Sequence, residues 1–160
     1  PLAERLRELL LNEPMSMDTE LMLMFAARRD HLERLVRPAL AAGTWVVCDR
    51  FTDSTWAYQG GGRGGPAERI AWLEQWVHGD LQPDRTYLFD LPAELAAERR
   101  ASARAADRFE REDEAFFRRV REAYRQRAGQ SPGRVLVVDS RRTIEEIRKL
   151  LEEDIASIGI

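Results

Sequence analysis

Residue types that handle phosphate groups are concentrated in one stretch of the sequence, residues 49–65. The stretch opens with Asp49 and Arg50 and continues as FTDSTWAYQGGGRGG. An arginine guanidinium binds phosphate oxygens in a bidentate manner, and an aspartate at the end of a strand suits Mg²⁺, either directly or through water. The dipeptide alone is a weak signal. Together with the hydroxyl, amide and glycine residues that follow, it predicts a loop that binds a phosphorylated ligand.

A second arginine stands where an apolar side chain is expected. Arg28 lies one turn after Met24 and one turn before Leu32 on the apolar stripe of a predicted helix. A charged group that faces a core needs a partner or must line a cavity. Two interpretations are equally open: an arginine at the core edge paired with a carboxylate such as Asp49, or a pocket arginine that binds a polar ligand beside apolar residues.

A third group of arginines lies in the segment ERRASARAADRFERED. Its members are Arg99, Arg100, Arg104, Arg108 and Arg111. For most charge runs a solvated helical face with Glu–Arg pairs is the commoner explanation. The small residues between these arginines favour a mobile segment instead. Positive charge on such a segment is what a phosphoryl-transfer lid needs.

The apolar residues of the elements that must position these side chains follow two patterns in turn, one helical and one typical of strands. Helical spacing of apolar residues predicts helices over residues 3–11, 20–42, 66–78, 93–104, 108–128 and 143–157. Runs rich in β-branched and aromatic residues predict strands over Thr44–Cys48, Thr86–Phe89 and Arg134–Val138. Strands that alternate with helices predict an α/β fold with a parallel sheet.

Each predicted strand ends in an aspartate, namely Asp49, Asp90 and Asp139. Open parallel sheets bind ligands outside the carboxyl ends of their strands. Aspartate also begins turns and caps helices, and for Asp90 and Asp139 this structural role is the favoured interpretation. Asp49 is the candidate for a functional role because Arg50 and the polar stretch follow it.

Local signals predict where two helices begin and end. Asp18 or Thr19 is expected to cap the long helix, Pro38 to bend its last turn, and Gly43 to end it. The Thr-x-x-Glu sequence at 143–146 predicts a capping box at the start of the last helix.

Composition excludes several classes of protein. The chain of 160 residues suits one domain, and its formal net charge of −3 gives no basic field for nucleic acid. The single cysteine, Cys48, excludes a disulfide framework and favours a cytoplasmic setting. No stretch of the sequence reads as a membrane span or a signal peptide. Of the 25 basic residues only Lys149 is a lysine, so 24 are arginines.

The residues of three stretches together resemble bacterial thymidylate kinase. They are LMLMFAARRDHLERLVRPALAAGTWVVCDRFTDSTWAYQGGGRG (21–64), GDLQPDRTYLFDLP (79–92) and RRASARAADRFE (99–110). Within the first, the Asp-Arg-Phe-x-x-Ser-x-x-Ala-Tyr-Gln-Gly string at 49–60 is highly specific to that family. The resemblance extends over residues 1–155.

The resemblance implies a nucleoside monophosphate kinase-like P-loop NTPase fold, with three layers and a parallel sheet. It implies one domain over residues 1–160, with a lid-like segment at about 99–111. The implied activity is transfer of the γ-phosphate of ATP to dTMP, which gives dTDP for dTTP synthesis. The implied partners are dTMP, ATP, Mg²⁺ and a second copy of the chain in a cytoplasmic homodimer, with no nucleic acid and no membrane.

The resemblance also implies a dTMP site. Arg28 is expected to hydrogen-bond the thymine base, with Thr55 and Gln59 near the same base. Tyr58 is expected to lie under the deoxyribose and to disfavour a 2′-hydroxyl. Ser54 belongs to the same substrate-binding string.

One position departs from the family pattern. The family usually has phenylalanine four residues before the base-binding arginine, where a ring stacks on thymine. Here that position is Met24, and Phe25 follows. Either Met24 covers the base through its thioether, or a small shift lets Phe25 take part.

For the reacting phosphates the resemblance implies five residues. Arg50 is expected to hold the dTMP phosphate, and Asp49 to act near the sugar-phosphate and the metal ion. Arg100 and Arg104 are expected to reach the transferring phosphate, and Arg108 to lie near ATP.

The largest departure is at the start of the sequence. No G-x-x-x-x-G-K-[ST] phosphate loop occurs in the 160 residues, and Lys149 lies in the last predicted helix. In this fold the strand before that loop lies between the strands at 44–48 and 86–89, which would otherwise have unpaired backbone groups. We therefore expect about 50–60 preceding residues, the usual length of a strand, loop, helix and strand. A chain that truly starts at Pro1 is expected to lack kinase activity.

Two other functions compete with the kinase. The first is a relative that binds a deoxynucleoside monophosphate without ATP chemistry, since the phosphate loop is absent from these residues. The second is an arginine-rich nucleic-acid-binding module, which is disfavoured because 28 acidic residues match the arginines.

Overall fold

A computed structural model describes residues 2–96, 109 and 112–158 of the chain. Its helices, in chain order, are α1 (Leu2–Asn12), α2 (Met17–His31), α3 (Arg37–Ala41), α4 (Thr52–Thr55), α5 (Ala67–His78), α6 (Glu114–Gln130) and α7 (Ile144–Ser157). Two π-helical segments, Leu32–Val36 and Trp56–Gly62, continue α2 and α4. Residues 93–96 add a helical turn.

The strands of the described residues form a two-stranded parallel sheet. Strand β1 (Thr86–Asp90) pairs with β2 (Val135–Asp139), so that Thr86 lies opposite Val135 and Asp90 opposite Asp139. Helix α6 connects them, as parallel pairing requires. The predicted α/β fold with a parallel sheet is confirmed.

The strand predicted at Thr44–Cys48 is wrong for the described part of the chain. These residues form no strand, although their composition is typical of one. Strand formation needs ladder hydrogen bonds to a neighbour, and no described strand pairs with this segment. The Val47 side chain is 96% exposed and Trp45 is 56% exposed.

The long predicted helix at 20–42 forms, with an earlier start than expected. Its N-cap is Ser16 rather than Asp18 or Thr19, because the Ser16 hydroxyl accepts a hydrogen bond from the Thr19 backbone N–H at 3.2 Å. The helix widens into a π-helical segment just before Pro38, which cannot donate a backbone hydrogen bond. Gly43 follows the helix with a φ of 71°, as its capping role predicts.

Other predicted helix limits vary in accuracy. The helix expected at 108–128 begins only at Glu114, because the Asp113 carboxylate accepts from the Phe116 backbone N–H at 2.6 Å and caps the helix there. The capping box at 143–146 is confirmed. Of the helix expected at 93–104, residues 93–96 are helical and the remainder lies outside the described residues.

Two hydrophobic clusters include or pack against residues of the stretch 49–65. One joins α2 to α5 and consists of Leu21, Phe25, Leu32, Val36, Ile70 and Val77. The other joins the second π-helical segment to α6 and consists of Ala57, Phe116 and Val120. Packing in these two clusters holds residues 51–58 in place.

That stretch is helical over 52–62, so the predicted loop is wrong there. Its glycines serve close packing: a Cβ on Gly61 would contact the Ala123 side chain and the Arg119 carbonyl oxygen, and one on Gly62 would contact the Phe116 ring. Glycine clusters often mark turns, but here they let two helices approach closely.

Candidate active site

The Arg28 side chain of α2 lies against two aromatic rings. Its guanidinium carbon lies 4.9 Å from the ring centre of Phe25 and 5.5 Å from that of Phe51. Nη2 donates to the Thr55 hydroxyl at 3.0 Å, whereas the buried Nη1 has no hydrogen-bond partner among the described residues. Burial lowers the pKa of Arg28 to about 10, so the group stays charged at neutral pH.

This geometry favours one of the two interpretations left open by the sequence. Asp49 is exposed, and no ion pair joins it to Arg28 or to any other described residue. An unpaired buried donor is costly unless something binds it. Arg28 therefore fits the second interpretation, because its Nη1 group has a hydrogen bond left to donate.

Met24 and Phe25 have different surroundings. Phe25 is 1% exposed in the first hydrophobic cluster, where its ring stacks with His78 at a centroid distance of 6.5 Å. It supports the Arg28 guanidinium from inside the protein. Met24 is partly exposed. Of the two, Met24 is the side chain that is free to cover a ligand beside Arg28.

Arg50 is held in an unusual backbone conformation. It has a φ of 65°, the only positive φ of a non-glycine residue in the described part of the chain. Such a conformation costs about 1–2 kcal/mol and persists where surrounding structure imposes it. The Arg50 guanidinium lies 5.0 Å from the centre of the Tyr58 ring. The predicted phosphate-binding and sugar-binding side chains are thus brought together.

Two of the remaining predicted substrate residues are bound to other protein groups. The Ser54 hydroxyl lies 2.6 Å from the Tyr124 hydroxyl. Gln59 is buried, and its Nε2 donates to the Glu20 carboxylate at 2.6 Å. The Gln59 amide nitrogen is therefore committed inside the protein, and a base contact by this residue stays a prediction.

Tyr124 is a site residue that the sequence did not reveal. It contacts Ser54, and its ring meets the Tyr58 ring edge-on at 6.4 Å. Burial raises the pKa of Tyr124 to about 12, so its hydroxyl stays protonated. In the sequence it lies one turn after Val120 on the apolar stripe of α6, which is also where a core aromatic residue would be.

A cleft of about 230 Å³ opens at the carboxyl ends of β1 and β2. It is lined by Asp90, Pro92, Arg121, Arg125, Val137, Asp139 and Arg141. Arg121 binds Asp90 through two hydrogen bonds of 2.7 and 2.9 Å, and Arg141 binds Asp139 at 2.8 Å. These ion pairs agree with the structural role favoured for both aspartates.

The predicted lid arginines Arg100, Arg104 and Arg108 lie outside the described residues. Phe109, at the end of the lid-like segment, is described, and its ring meets Tyr58 edge-on at 6.1 Å. This end of the segment therefore contacts the residues around Arg50.

The candidate site offers a magnesium ion one carboxylate, that of Asp49. No cluster of three or more histidine, cysteine, aspartate or glutamate side chains suitable for a metal occurs in the described ranges. Mg²⁺ in phosphoryl-transfer sites is commonly held by one or two carboxylates with phosphate oxygens and water. The exposed, unpaired Asp49 fits that arrangement. Among the same residues, no helix has the length and apolar character needed to cross a membrane.

Comparison with known proteins settles the family. A model of the thymidylate kinase family matches residues 1–151. The chain belongs to the thymidylate kinase family. This membership confirms the resemblance and makes the protein a kinase, that is, a phosphotransferase.

Individual thymidylate kinases are similar over nearly all of the chain. That of Bordetella pertussis is 56% identical over 158 residues, which cover 99% of this chain and 76% of the relative. That of Bordetella petrii is 58% identical over 159 residues, covering 99% and 77%. The crystal structure of thymidylate kinase from Ehrlichia chaffeensis matches with a TM-score of 0.70 and 29% identity, over 92% of this chain and 68% of that one. The predicted P-loop NTPase fold is confirmed.

Proposed function

We propose that this member of the thymidylate kinase family transfers the γ-phosphate of ATP to dTMP and releases dTDP in the cytoplasm. The observation that carries the proposal is the Arg28 Nη1, a buried donor without a partner beside the partly exposed Met24. A thymine ring presents carbonyl oxygens that accept from a guanidinium and a flat apolar face that a thioether can cover. Thr55 fixes the other side of the same guanidinium.

The sugar and phosphate of dTMP fit the residues that lie next to Arg28 in the candidate site. Tyr58 offers an aromatic surface for the deoxyribose, and Arg50 lies over the Tyr58 ring, where it can bind the phosphate. Ser54 and Thr55 stand between base and phosphate on α4. Gln59 completes the set near the base, whether or not it keeps its hydrogen bond to Glu20.

Phosphoryl transfer is then a matter of orientation and charge neutralisation, since the protein forms no covalent bond with the phosphate. Arg50 holds the accepting phosphate. Arg100, Arg104 and Arg108 lie outside the described residues, and we assign Arg100 and Arg104 to the charge on the transferring group and Arg108 to ATP on the family resemblance. Asp49 would hold Mg²⁺, which would add positive charge beside the phosphates. A guanidinium that neutralises charge in the transition state contributes about 10³–10⁵ in rate in related reactions.

Two broader assignments accompany this function. Residues 1–160 belong to one kinase domain with a lid-like segment at about 99–111, and the molecule is a homodimer. The cleft at the carboxyl ends of β1 and β2 lies where open parallel sheets bind ligands. We therefore propose that ATP binds on this side of the sheet.

The test compares two neighbouring arginines of α2. Arg28→Met removes the unpaired donor, and we expect kcat/KM for dTMP to fall roughly 10²–10³-fold, because a buried polar partner of the base is lost. Arg29→Met is the matched control: Arg29 is half-exposed, pairs with Glu33 and donates to the Val77 carbonyl, so activity should stay within about twofold. Coupled assays with ATP and dTMP measure both variants.

The competing function makes a different prediction. A relative that only binds the nucleotide would bind dTMP in calorimetry and show no ATP-dependent turnover. Turnover of dCMP or AMP as fast as dTMP, or full activity in Arg28→Met, would contradict the proposed base recognition. Arg50→Ala should abolish most activity whichever nucleotide the protein prefers, since it removes the side chain that binds the substrate phosphate.

A further inference from the structure

Helix α4 is a single turn whose four side chains each bind a different part of the protein. Thr52 bonds to His78 at 2.7 Å, Asp53 to Arg127 and Arg134, Ser54 to Tyr124 at 2.6 Å, and Thr55 to Arg28 at 3.0 Å. Two of these residues, Ser54 and Thr55, belong to the proposed dTMP site. The other two bind His78, Arg127 and Arg134, which are not among the predicted substrate residues.

Asp53 is the centre of a buried charge network. The Arg134 Nη1 and Nη2 atoms donate to its two carboxylate oxygens at 2.7 and 2.8 Å, and the Arg127 Nε donates at 2.9 Å. Asp53 is 8% exposed. Arg134 also donates to the Thr86 hydroxyl at the start of β1. Asp53 thus joins the short helix to the sheet.

The second guanidinium extends this network towards α5. Arg127 donates from Nη2 to the Glu74 carboxylate at 2.9 Å, and its guanidinium carbon lies 5.0 Å from the Trp56 ring centre. The Trp56 indole N–H donates to the other Glu74 oxygen at 2.5 Å. The residue that follows α4 is therefore tied into the same network as Asp53.

Helix α4 is the first turn of a continuous helical stretch over residues 52–62, and it has no side-chain cap at Phe51. Close packing against α6 holds the far end of this stretch at Gly61 and Gly62. The first turn is held instead by the side-chain hydrogen bonds of its four residues. A small rotation about its axis would move the Thr55 hydroxyl away from Arg28 and the Ser54 hydroxyl away from Tyr124.

We propose that Asp53, bound by Arg127 and Arg134, is a positioning residue that fixes α4 in the orientation required for dTMP binding. The inference rests on the proposed function, since it concerns affinity for dTMP. Both carboxylate oxygens of Asp53 are engaged by Arg127 and Arg134, so Asp53 acts through Ser54 and Thr55. Its carboxylate neutralises two guanidinium groups that would otherwise be buried with too few partners.

Asp53→Asn is the first test, with dTMP binding measured by calorimetry. An amide cannot neutralise both arginines, so α4 should lose its fixed orientation and the Kd for dTMP should rise roughly tenfold. Arg134→Gln, which leaves the Arg127 bond in place, should raise the Kd by about threefold. The double variant should lose less affinity than the product of the two single losses, because both remove one interaction.

Asp154→Asn is the matched control for a loss of stability alone. Asp154 also forms an ion pair with an arginine, Arg85 at 3.0 Å, and accepts a hydrogen bond from the Tyr87 hydroxyl at 2.8 Å, and its side chain is 15% exposed against 11% for Asp53. It ties α7 to the start of β1 and does not contact α4. All variants are compared at a temperature where circular dichroism shows them folded.

The outcomes distinguish a failure of the proposed function from a failure of the positioning role. A wild-type protein that binds no dTMP would overturn the proposed function itself. Wild-type affinity in Asp53→Asn, or an equal loss of affinity in Asp154→Asn at the same fall in Tm, would overturn the positioning role. Should Asp53→Asn fail to fold, Arg134→Gln decides in the same way: an unchanged Kd contradicts the proposal and a raised Kd supports it.

Discussion

At the scale of single residues, the site depends on polar groups placed in apolar surroundings. Arg28 could be found from the sequence because a charge interrupts an apolar stripe. Asp53 could not, because its partner Arg134 lies 81 residues away in the sequence. Tyr124 was missed for a similar reason, since its partner Ser54 lies 70 residues away. Local patterns reveal an anomalous residue, but they do not reveal which distant residue binds it.

His78 makes stability depend on pH. It is 1% exposed, and its Nε2 lies 2.7 Å from the Thr52 hydroxyl. Burial lowers the pKa of His78 below its ordinary value of 6.5, and the nearby Arg28 and Arg37 act in the same direction against Glu74. Above pH 6.5 the ring is neutral in both folded and unfolded chains. Below it the unfolded chain binds a proton that the folded protein excludes, so stability is lost as the pH falls.

The measurement is Tm between pH 7 and pH 5. His78→Gln keeps an acceptor for Thr52 and removes the titrating group, so its Tm should fall less steeply over this interval than that of the wild type. His31→Gln serves as the control, because His31 is the only other histidine. A wild-type Tm that stays flat from pH 7 to pH 5 would contradict the expectation.

At the scale of elements, composition predicted whether most segments are helices or strands. It failed for segments whose structure depends on a neighbouring element. The strands at 86–89 and 134–138 form because they pair with each other. Thr44–Cys48 has the same composition and no described partner strand. The stretch 49–65 was expected to be a loop because of its glycines, yet 52–62 is helical because α6 packs directly against Gly61 and Gly62. In both cases tertiary contacts outweigh local preference.

The packing role of these glycines can be tested. Gly61→Ala would force a Cβ against Ala123 and the Arg119 carbonyl, and overpacking of this kind costs about 1–3 kcal/mol. We expect Tm to fall by roughly 2–4 °C for each kcal/mol. Gly129→Ala is the control, since a Cβ there meets nothing within 4 Å and the residue lies in helix α6. Alanine favours the helix, so this Tm should stay level or rise, and an equal fall in both variants would contradict the packing role.

At the scale of the whole molecule, the proposed homodimer needs a surface that a second copy would cover. Helix α5 buries Ile70 and Val77 on its inner side and leaves Trp72 and Trp76 63% and 68% exposed on the other. The two indole rings lie 5.2 Å apart and form a continuous aromatic surface. Exposed aromatic patches of this kind favour protein–protein contact. If the proposed homodimer forms, we expect this face of α5 to be its contact.

Trp76→Glu tests the assignment by sedimentation velocity. A charge at the centre of an apolar contact should shift the protein from dimer to monomer at micromolar concentration, because the carboxylate would be buried without a partner. The buried side of α5 is untouched, so the variant should keep its fold and its Tm. Ile144→Glu is the control, since Ile144 is 85% exposed at the start of α7 and should not affect assembly. A monomeric wild type, or a dimer that survives Trp76→Glu, would contradict the assignment, and dissociation by Ile144→Glu would place the contact on α7 instead.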